Sequence, residues 1–266
     1  YANASPFMYD RQIHLNIYGV KALLARVYLT MGNKEKALAY ARDVVANSNR
    51  TLCQKTELNG ELAGVLSLRE TIFGIYNPDF YKSVSQMLQQ SISFHSRSPR
   101  KDITDSYETN VTGLDYRFTA WFTARSSDMG GYTLSKLTDI YELQNIASQR
   151  PSDKILGVNI IRLPEMYYIM AECLLETNYD EALAIFNEMI SHRGLEPLDR
   201  WPVGQNTLTI EAINNERFRE FIGEGVTFFN LKRQHLPIYT ADGTSVSPSK
   251  TVFTVPIPDI ENEYRN

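Results

Sequence analysis

Apolar residues recur at helical spacing in two well-separated stretches of the chain. Val20, Leu23, Leu24, Val27 and Tyr28 form one stripe, Gly32-Asn33 breaks it, and Ala37, Ala41, Val44 and Val45 resume it, which predicts a helical hairpin over residues 12–46. The pattern returns near residue 160. Met166, Ile169, Met170, Cys173 and Leu174 form a first stripe. Asn178-Tyr179 makes the break, with Asp180 as the expected N-cap, and Ala182, Ile185, Phe186, Met189 and Ile190 form the second stripe, giving a hairpin over 160–193. Pro164 fits only the first turn of a helix, so that helix is expected to start at about Leu163.

Shifting the first hairpin by 145 residues places Leu29 on Leu174, Asn33 on Asn178 and Ala37 on Ala182. Small residues at such positions let paired helices approach closely, and the repeat resembles a tetratricopeptide (TPR) unit of about 34 residues. Two ordinary helical hairpins are the alternative. Between them, residues 51–155 change character: Gly, Ser, Asn and Pro punctuate short aromatic runs such as Phe73-Gly-Ile-Tyr76, Asp79-Phe-Tyr81 and Tyr116-Arg-Phe-Thr-Ala-Trp-Phe122. This reads as a long irregular insertion on a helical scaffold, the kind of segment that often carries binding function. Alternation through Tyr116, Phe118, Ala120 and Phe122 predicts a short strand, and a second is expected after Gly130-Gly131. Residues 195–209, with Pro197, Trp201, Pro202 and Gly204, form a further loop. No stretch reads as a flexible linker, so one domain over 1–266 is expected, mainly α and TPR-like, with short strands in the insertion.

Composition narrows the chemistry. With 31 acidic against 27 basic residues, there is no overall positive field to draw in a nucleic acid. Cys53 and Cys173 form no C-x-x-C or metal-like pair and read as buried apolar residues. His14, His95, His192 and His235 are scattered without the i,i+4 spacing of a metal site, and neither a metal nor a cofactor is expected. Nowhere do eighteen apolar residues run together, and the first twenty residues lack the pattern of a signal peptide. The chain begins at Tyr1 without Met, which points to an N-terminal part, with any targeting segment, lying outside it.

The last sixty residues are the most informative. A charged helix is expected over Glu211-Ala-Ile-Asn-Asn-Glu-Arg-Phe-Arg-Glu220, breaking at Gly223 and Gly225 and leading into Phe228-Phe-Asn-Leu-Lys-Arg233. Val255-Pro-Ile-Pro-Asp-Ile-Glu-Asn-Glu-Tyr264 reads as a proline-set tail. Glu216, Glu220 and Glu224 share one face beside Arg217 and Arg219. Such a set is either a carboxylate pair for acid–base chemistry or a salt-bridged helix face. Neither a G-x-S-x-G elbow nor a phosphate loop is present.

Several of these blocks resemble the SusD/RagB family of surface nutrient-binding lipoproteins. Asn214-Asn-Glu-Arg-Phe-Arg-Glu-Phe-Ile-Gly-Glu-Gly225 is similar to the family's Glu-Arg-x-x-Glu-x-x-x-Glu-Gly block, and Phe229-Asn-Leu-Lys-Arg233 stands where relatives have an aromatic, Asp, Leu, Lys and Arg. Asn159-Ile-Ile-Arg-Leu-Pro-Glu-Met-Tyr-Tyr-Ile-Met-Ala-Glu172 looks like its Arg-Leu-x-Glu-x-Tyr-x-x-x-Ala-Glu helix. Tyr18-Gly-Val-Lys-Ala-Leu-Leu-Ala-Arg-Val-Tyr-Leu29 looks like an earlier TPR helix, and Asp115-Tyr-Arg117 like the family's Asp-x-Arg. Residues 51–109 carry no such signature. Relatives are commonly close to twice this length, with a signal peptide, a lipidated cysteine and further helices ahead of the first hairpin.

The resemblance implies non-catalytic capture of oligosaccharide or polysaccharide at the outer face of the outer membrane. It also implies delivery to a SusC-like TonB-dependent transporter, with membrane contact only through a lipid anchor absent from this chain. A TPR-type peptide-binding module and a glycoside hydrolase are the alternatives. Arg162, Glu165, Glu172, Glu216, Arg217 and Glu224 are spaced for helix-to-helix ion pairs, which is scaffold work. Sugar rings offer apolar C–H faces ringed by hydroxyls, so a glycan site needs exposed aromatic rings with polar groups at the rim. The insertion offers Tyr76, Phe80, Tyr81, Trp121 and Tyr132, with Asn77, Asp79, Arg125 and Asp128 nearby. Trp121 and Tyr76 lead, and Trp201 stands outside this group. For each ring a core position and a binding platform remain open.

Overall fold

An asparagine ends the turn between the first two helices and starts the second. The computed structural model describes residues 13–61, 65–66, 69–77, 79–80, 107, 114–124, 132–137, 148, 155–239 and 244–254. Helix α1 (Ile17–Thr30) is capped by Asn16, whose Oδ1 accepts from the amides of Tyr18 and Gly19 at 2.9 and 3.0 Å. Gly32 turns the chain at φ +76°. Asn33 then caps α2 (Lys34–Asn47) by accepting from the Lys36 amide at 3.0 Å. Ala22 and Ala25 of α1 and Ala37 and Ala41 of α2 are buried, and small side chains at these positions let the two backbones approach, while Gly19 lies against Phe73 of the insertion.

After α3 (Lys55–Glu61), the chain forms the short strand β1 (Val65–Leu66) and the strand β2 (Thr71–Tyr76). Where alternation predicted a strand from Tyr116 there is instead a helix, α4 (Tyr116–Trp121), followed by the strand β3 (Phe122–Ala124). The reason is local. Asp115 accepts from the Arg117 amide at 2.9 Å and caps the turn, and a helix puts Arg117 and Trp121, four residues apart, on one inward face. The strand expected after Gly130-Gly131 is β4 (Tyr132–Leu134), antiparallel to β3 with Phe122 opposite Leu134.

Strand β5 (Ile155–Arg162) lies between β1 and β2, antiparallel to both. It runs without a break into α5 (Leu163–Leu174), with Arg162 as N-cap and Pro164 in the first turn. Every residue of α5 is buried. Helix α6 (Tyr179–Ser191) is capped by Asn178 rather than by Asp180: its Oδ1 accepts from the Glu181 amide, and its Nδ2 donates to Glu181 Oε2 at 2.9 Å. Asn33 and Asn178 therefore do the same work at equivalent places, and the two hairpins share one form. Helix α7 (Ile210–Glu220), started by Thr209, packs on α5. Cys53 and Cys173 are both buried.

The chain forms two compact units, Tyr1–Glu224 and Gly225–Asn266. In the second, α8 (Val226–Gln234) ends at His235 in a left-handed conformation, β6 (Ile238–Tyr239) pairs with β7 (Ser245–Val246), and α9 (Lys250–Phe253) is capped by Ser249. Phe253 is buried, with Phe228 at 5.7 Å and His235 at 6.3 Å between ring centroids. The proline-set segment 255–264 lies outside the described residues. No helix among the described residues is long and apolar enough to cross a membrane.

Removing either hairpin cap should cost about 1 kcal/mol, because one helix-start amide loses its acceptor. Asn33→Ala and Asn178→Ala are expected to lower the urea midpoint by similar amounts. A measurable loss in only one of them would show that the two turns are not equivalent.

Candidate functional site

Two features of the first unit bear on function: a buried cluster of charges and a solvent-facing aromatic strand end. The strand pair β2–β5 joins them, because Thr71 lies opposite Arg162 at the charged end and Tyr76 lies opposite Gly157 at the other. At about 3.3 Å per residue the two ends are about 17 Å apart.

Glu220 is at the centre of the charges. Its Oε1 accepts from Arg162 Nη1 at 2.7 Å and Arg193 Nη2 at 3.0 Å, and its Oε2 accepts from Arg193 Nε at 2.8 Å and Arg117 Nη1 at 3.4 Å. Glu70, immediately before β2, accepts from Arg162, Arg193 and the Cys53 amide at 3.0, 2.9 and 2.7 Å. Arg117 forks onto Asp115 at 2.9 and 2.7 Å and reaches Glu216 at 2.9 Å. Arg162 forks onto Glu224 at 2.9 and 2.7 Å, where Lys136 adds a third contact at 2.6 Å. Arg219 pairs with Glu216 at the edge. Arg117, Lys136, Arg162, Arg193 and Arg219 thus balance Glu70, Asp115, Glu216, Glu220 and Glu224.

Burial works to raise the Glu220 carboxyl, but Arg193 and Arg162 overcome it and hold the group well below the usual carboxylate range. Arg117 and Arg162 act in the same sense on Glu216 and Glu224, respectively. Lys136 shifts the other way. Burial, only partly offset by Glu224, pulls its ammonium down to about 8, and its Nζ sits 3.9 Å from the centroid of the Trp121 ring.

The charged residues expected to form helix-to-helix ion pairs do form ion pairs within the first unit. Besides Arg162, Glu216 and Glu224, Arg217 pairs with Glu172 and donates to the Tyr168 carbonyl at 3.0 Å, and Arg26 forks onto Glu165 at 2.6 Å for both contacts. Glu70, Lys136 and Arg193 were not anticipated. Glu70 and Lys136 lie in the insertion, Arg193 just past α6, and none sits in a local pattern that announces a partner.

The aromatic candidates separate. Tyr76 is 57% exposed at the end of β2, next to exposed Ile75 and Asn77. Phe80 is half-buried, beyond a turn in which Asn77 Oδ1 accepts from the Asp79 amide at 3.2 Å. Trp121 is fully buried among Cys53, Leu58 and Phe122. It cannot stack on a ligand, which corrects its place among the leading candidates. Tyr132 opens β4, paired with Ala124, but its side chain, like all of Tyr81, Arg125 and Asp128, lies outside the described residues. Trp201 is half-buried and donates from its indole to the Glu196 carbonyl at 2.8 Å.

The SusD family profile matches residues 26–252, taking in the end of α1, all of α2, the second hairpin, the charge cluster and α8. The chain belongs to the SusD family. Solved structures share its fold. A SusD superfamily protein from Bacteroides thetaiotaomicron superposes with a TM-score of 0.68 at 21% identity, over 93% of this chain and 58% of that one. A SusD-like carbohydrate binding protein from Bacteroides vulgatus gives 0.65 at 16%, over 98% and 60%. Surface glycan-binding protein A from Bacteroides thetaiotaomicron, in complex with laminarihexaose, gives 0.63 at 19%, over 94% and 62%. The chain therefore spans about three fifths of the length of these relatives. Among curated proteins none matches it significantly.

Two outcomes test the cluster. Arg217→Ala leaves Glu172 buried without its guanidinium and is expected to cost about 3–5 kcal/mol, lowering the melting temperature whatever the ligand does. An unchanged melting temperature would remove Arg217 from the frame. Lys136 holds its proton to about pH 8 when folded and to 10.5 when unfolded, so between these values the unfolded chain binds more protons and stability rises with pH. Relative to Lys136→Met, the wild type is expected to gain about 2 kcal/mol from pH 8 to 10. A difference that stays flat or falls over that range would show that Lys136 is not depressed.

Proposed function

We propose that this chain is the glycan-binding part of a SusD-type protein at the outer face of the outer membrane, taking up oligosaccharide without chemistry and passing it to a SusC-like TonB-dependent transporter. The observation that carries the reading is the exposed Tyr76 ring, held at the end of a paired strand with Asn77 and Asp79 beside it. A ring fixed on a strand offers a flat apolar face at little cost in lost side-chain freedom, and the amide and carboxylate next to it suit sugar hydroxyls. The relative in complex with laminarihexaose and the relative described as carbohydrate binding support the ligand class. Phe80, Tyr81 and Tyr132 complete the proposed aromatic set.

The carboxylates that raised a hydrolase do not fit one. Glycoside hydrolysis needs a general acid with a raised pKa facing a second carboxylate across open space. Glu216, Glu220 and Glu224 are instead packed against guanidinium groups and held low.

A glycan array followed by calorimetry on the best hit tests the proposal. Tyr76→Ala is expected to weaken that hit about ten- to a hundredfold, taking ring stacking at about 1–3 kcal/mol by analogy with stacking on bases. Wild-type affinity in a folded Tyr76→Ala, Phe80→Ala variant would move the site elsewhere, and an array without any hit would remove glycan as the ligand.

A further inference from the structure

The loop between α6 and α7 is built more firmly than a connection between two helices needs. Leu195, Leu198 and Leu208 anchor it, each of them buried, and α6 ties down both of its shoulders. Asn187 accepts from the Leu198 amide at 2.7 Å and donates to Asp199 Oδ1 at 3.2 Å, and the Tyr179 hydroxyl accepts from the Leu208 amide at 2.8 Å. Just over two turns of α6 separate Tyr179 from Asn187, about 12 Å along the helix axis. The loop is thus fastened at two distinct points.

Between those points the chain turns twice. The Trp201 amide donates to the Leu198 carbonyl at 3.0 Å and the Gln205 amide to the Pro202 carbonyl at 2.9 Å. Gly204 lies at φ +92° while Val203 is not left-handed, a type II turn with glycine at the position that needs positive φ. At this tip Val203 is 97% exposed. Trp201 stands just before it. Its indole N–H donates to the Glu196 carbonyl at 2.8 Å, which fixes the ring, and among the described residues neither an aromatic ring nor a cation stacks on it. Trp121 differs on both counts, being buried with the Lys136 ammonium against its ring. The surroundings of Trp201 are polar: Arg200 pairs with Glu196 at 3.1 Å, both side chains more than half exposed, and Gln205 is exposed beyond Val203.

An apolar tip of one indole, one proline and one valine is far smaller than the roughly 800 Å² that each side of a stable protein interface buries, which argues against a protein partner. It suits the face of a sugar ring, whose C–H groups meet the indole while the guanidinium and carboxylate of Arg200 and Glu196 meet the hydroxyls around it. A loop already ordered also loses little freedom on binding. We infer that Trp201, rimmed by Glu196 and Arg200, is a second sugar-contact site, carried by a different element from Tyr76. The inference rests on the glycan reading above and adds a separate point of attachment, which raises the retention of a polysaccharide able to reach both. It is the weaker of the two, because it offers one ring where Tyr76 belongs to a proposed set.

Tryptophan emission of the whole chain, titrated with the best array hit as a pure oligosaccharide, tests this, since Trp121 is shielded and Trp201 alone faces added ligand. In the wild type the emission is expected to shift to the blue and acrylamide quenching to fall as glycan binds. In Tyr76→Ala the same response is expected at an unchanged midpoint. Arg200→Ala, which removes part of the rim without touching the ring, is expected to raise that midpoint about tenfold, the scale of one hydrogen bond to a charged group. If a hit whose binding depends on Tyr76 leaves the emission unchanged, the Trp201 site is wrong while glycan binding at Tyr76 stands. A response that weakens in step with Tyr76→Ala shows that Trp201 only reports the Tyr76 site, and it overturns the second site as well. With no array hit at all, both readings fall together.

Discussion

The structure depends on carboxylates kept ionised away from water, with Glu220 at the centre. Desolvating one such ion costs several kcal/mol, and a single partner rarely offsets it. Here Glu220 accepts from Arg117, Arg162 and Arg193, and each of these also holds a second carboxylate: Asp115 and Glu216, Glu70 and Glu224, and Glu70 again. The three arginines around Glu220 are each shared between carboxylates, so removing one of them affects several ions at once. A chain lacking any one of its contributing segments would bury an uncompensated ion.

Those segments are far apart in sequence. Glu70, Arg117 and Lys136 come from the insertion, Arg162 from the end of β5, Arg193 from beyond α6, and Glu216, Glu220 and Glu224 from α7 and its exit. The insertion is therefore part of the frame at its base. Glu70 leads directly into β2, its carbonyl accepts from the Leu163 amide at 2.8 Å, and Arg162 closes β5. The strand that carries Tyr76 is thus clamped at one end by charges and open to solvent at the other. Rigid support with an exposed tip is what a preorganised binding surface requires.

The two hairpins share a backbone plan but have diverged in what they present. Val20, Leu23 and Val27 on the outer face of α1 are exposed, and at the 145-residue shift they stand on Glu165, Tyr168 and Glu172 of α5, all buried. Arg26 covers that face of α5 from one side and Arg217 from the other. Two of the three equivalent positions, Glu165 and Glu172, thus hold ions where an arginine approaches, whereas the α1 positions hold exposed apolar side chains.

Features that depend on neighbours within a few residues were legible in the chain. The apolar stripes and the breaks at Gly32 and Asn178 located both hairpins, the position of Pro164 placed the start of α5 at Leu163, and the order of charged residues marked Arg162, Glu165, Glu172, Glu216, Arg217 and Glu224 as frame. Misreadings arose where two local signals compete. The aromatic alternation from Tyr116 reads as a strand, yet the Asp115 cap and the inward pair Arg117 and Trp121 make it a helix, and Trp121 goes into the core as a result. Nothing local marks Glu70, Lys136 or Arg193. A charge has no periodicity of its own when its partner lies 27 to 123 residues away, and whether a ring is a platform or a core residue depends on what else folds against it. Short-range spacing and capping belong to the sequence, whereas the pairing of buried ions and the exposure of Tyr76 follow only once distant segments have displaced the water between them.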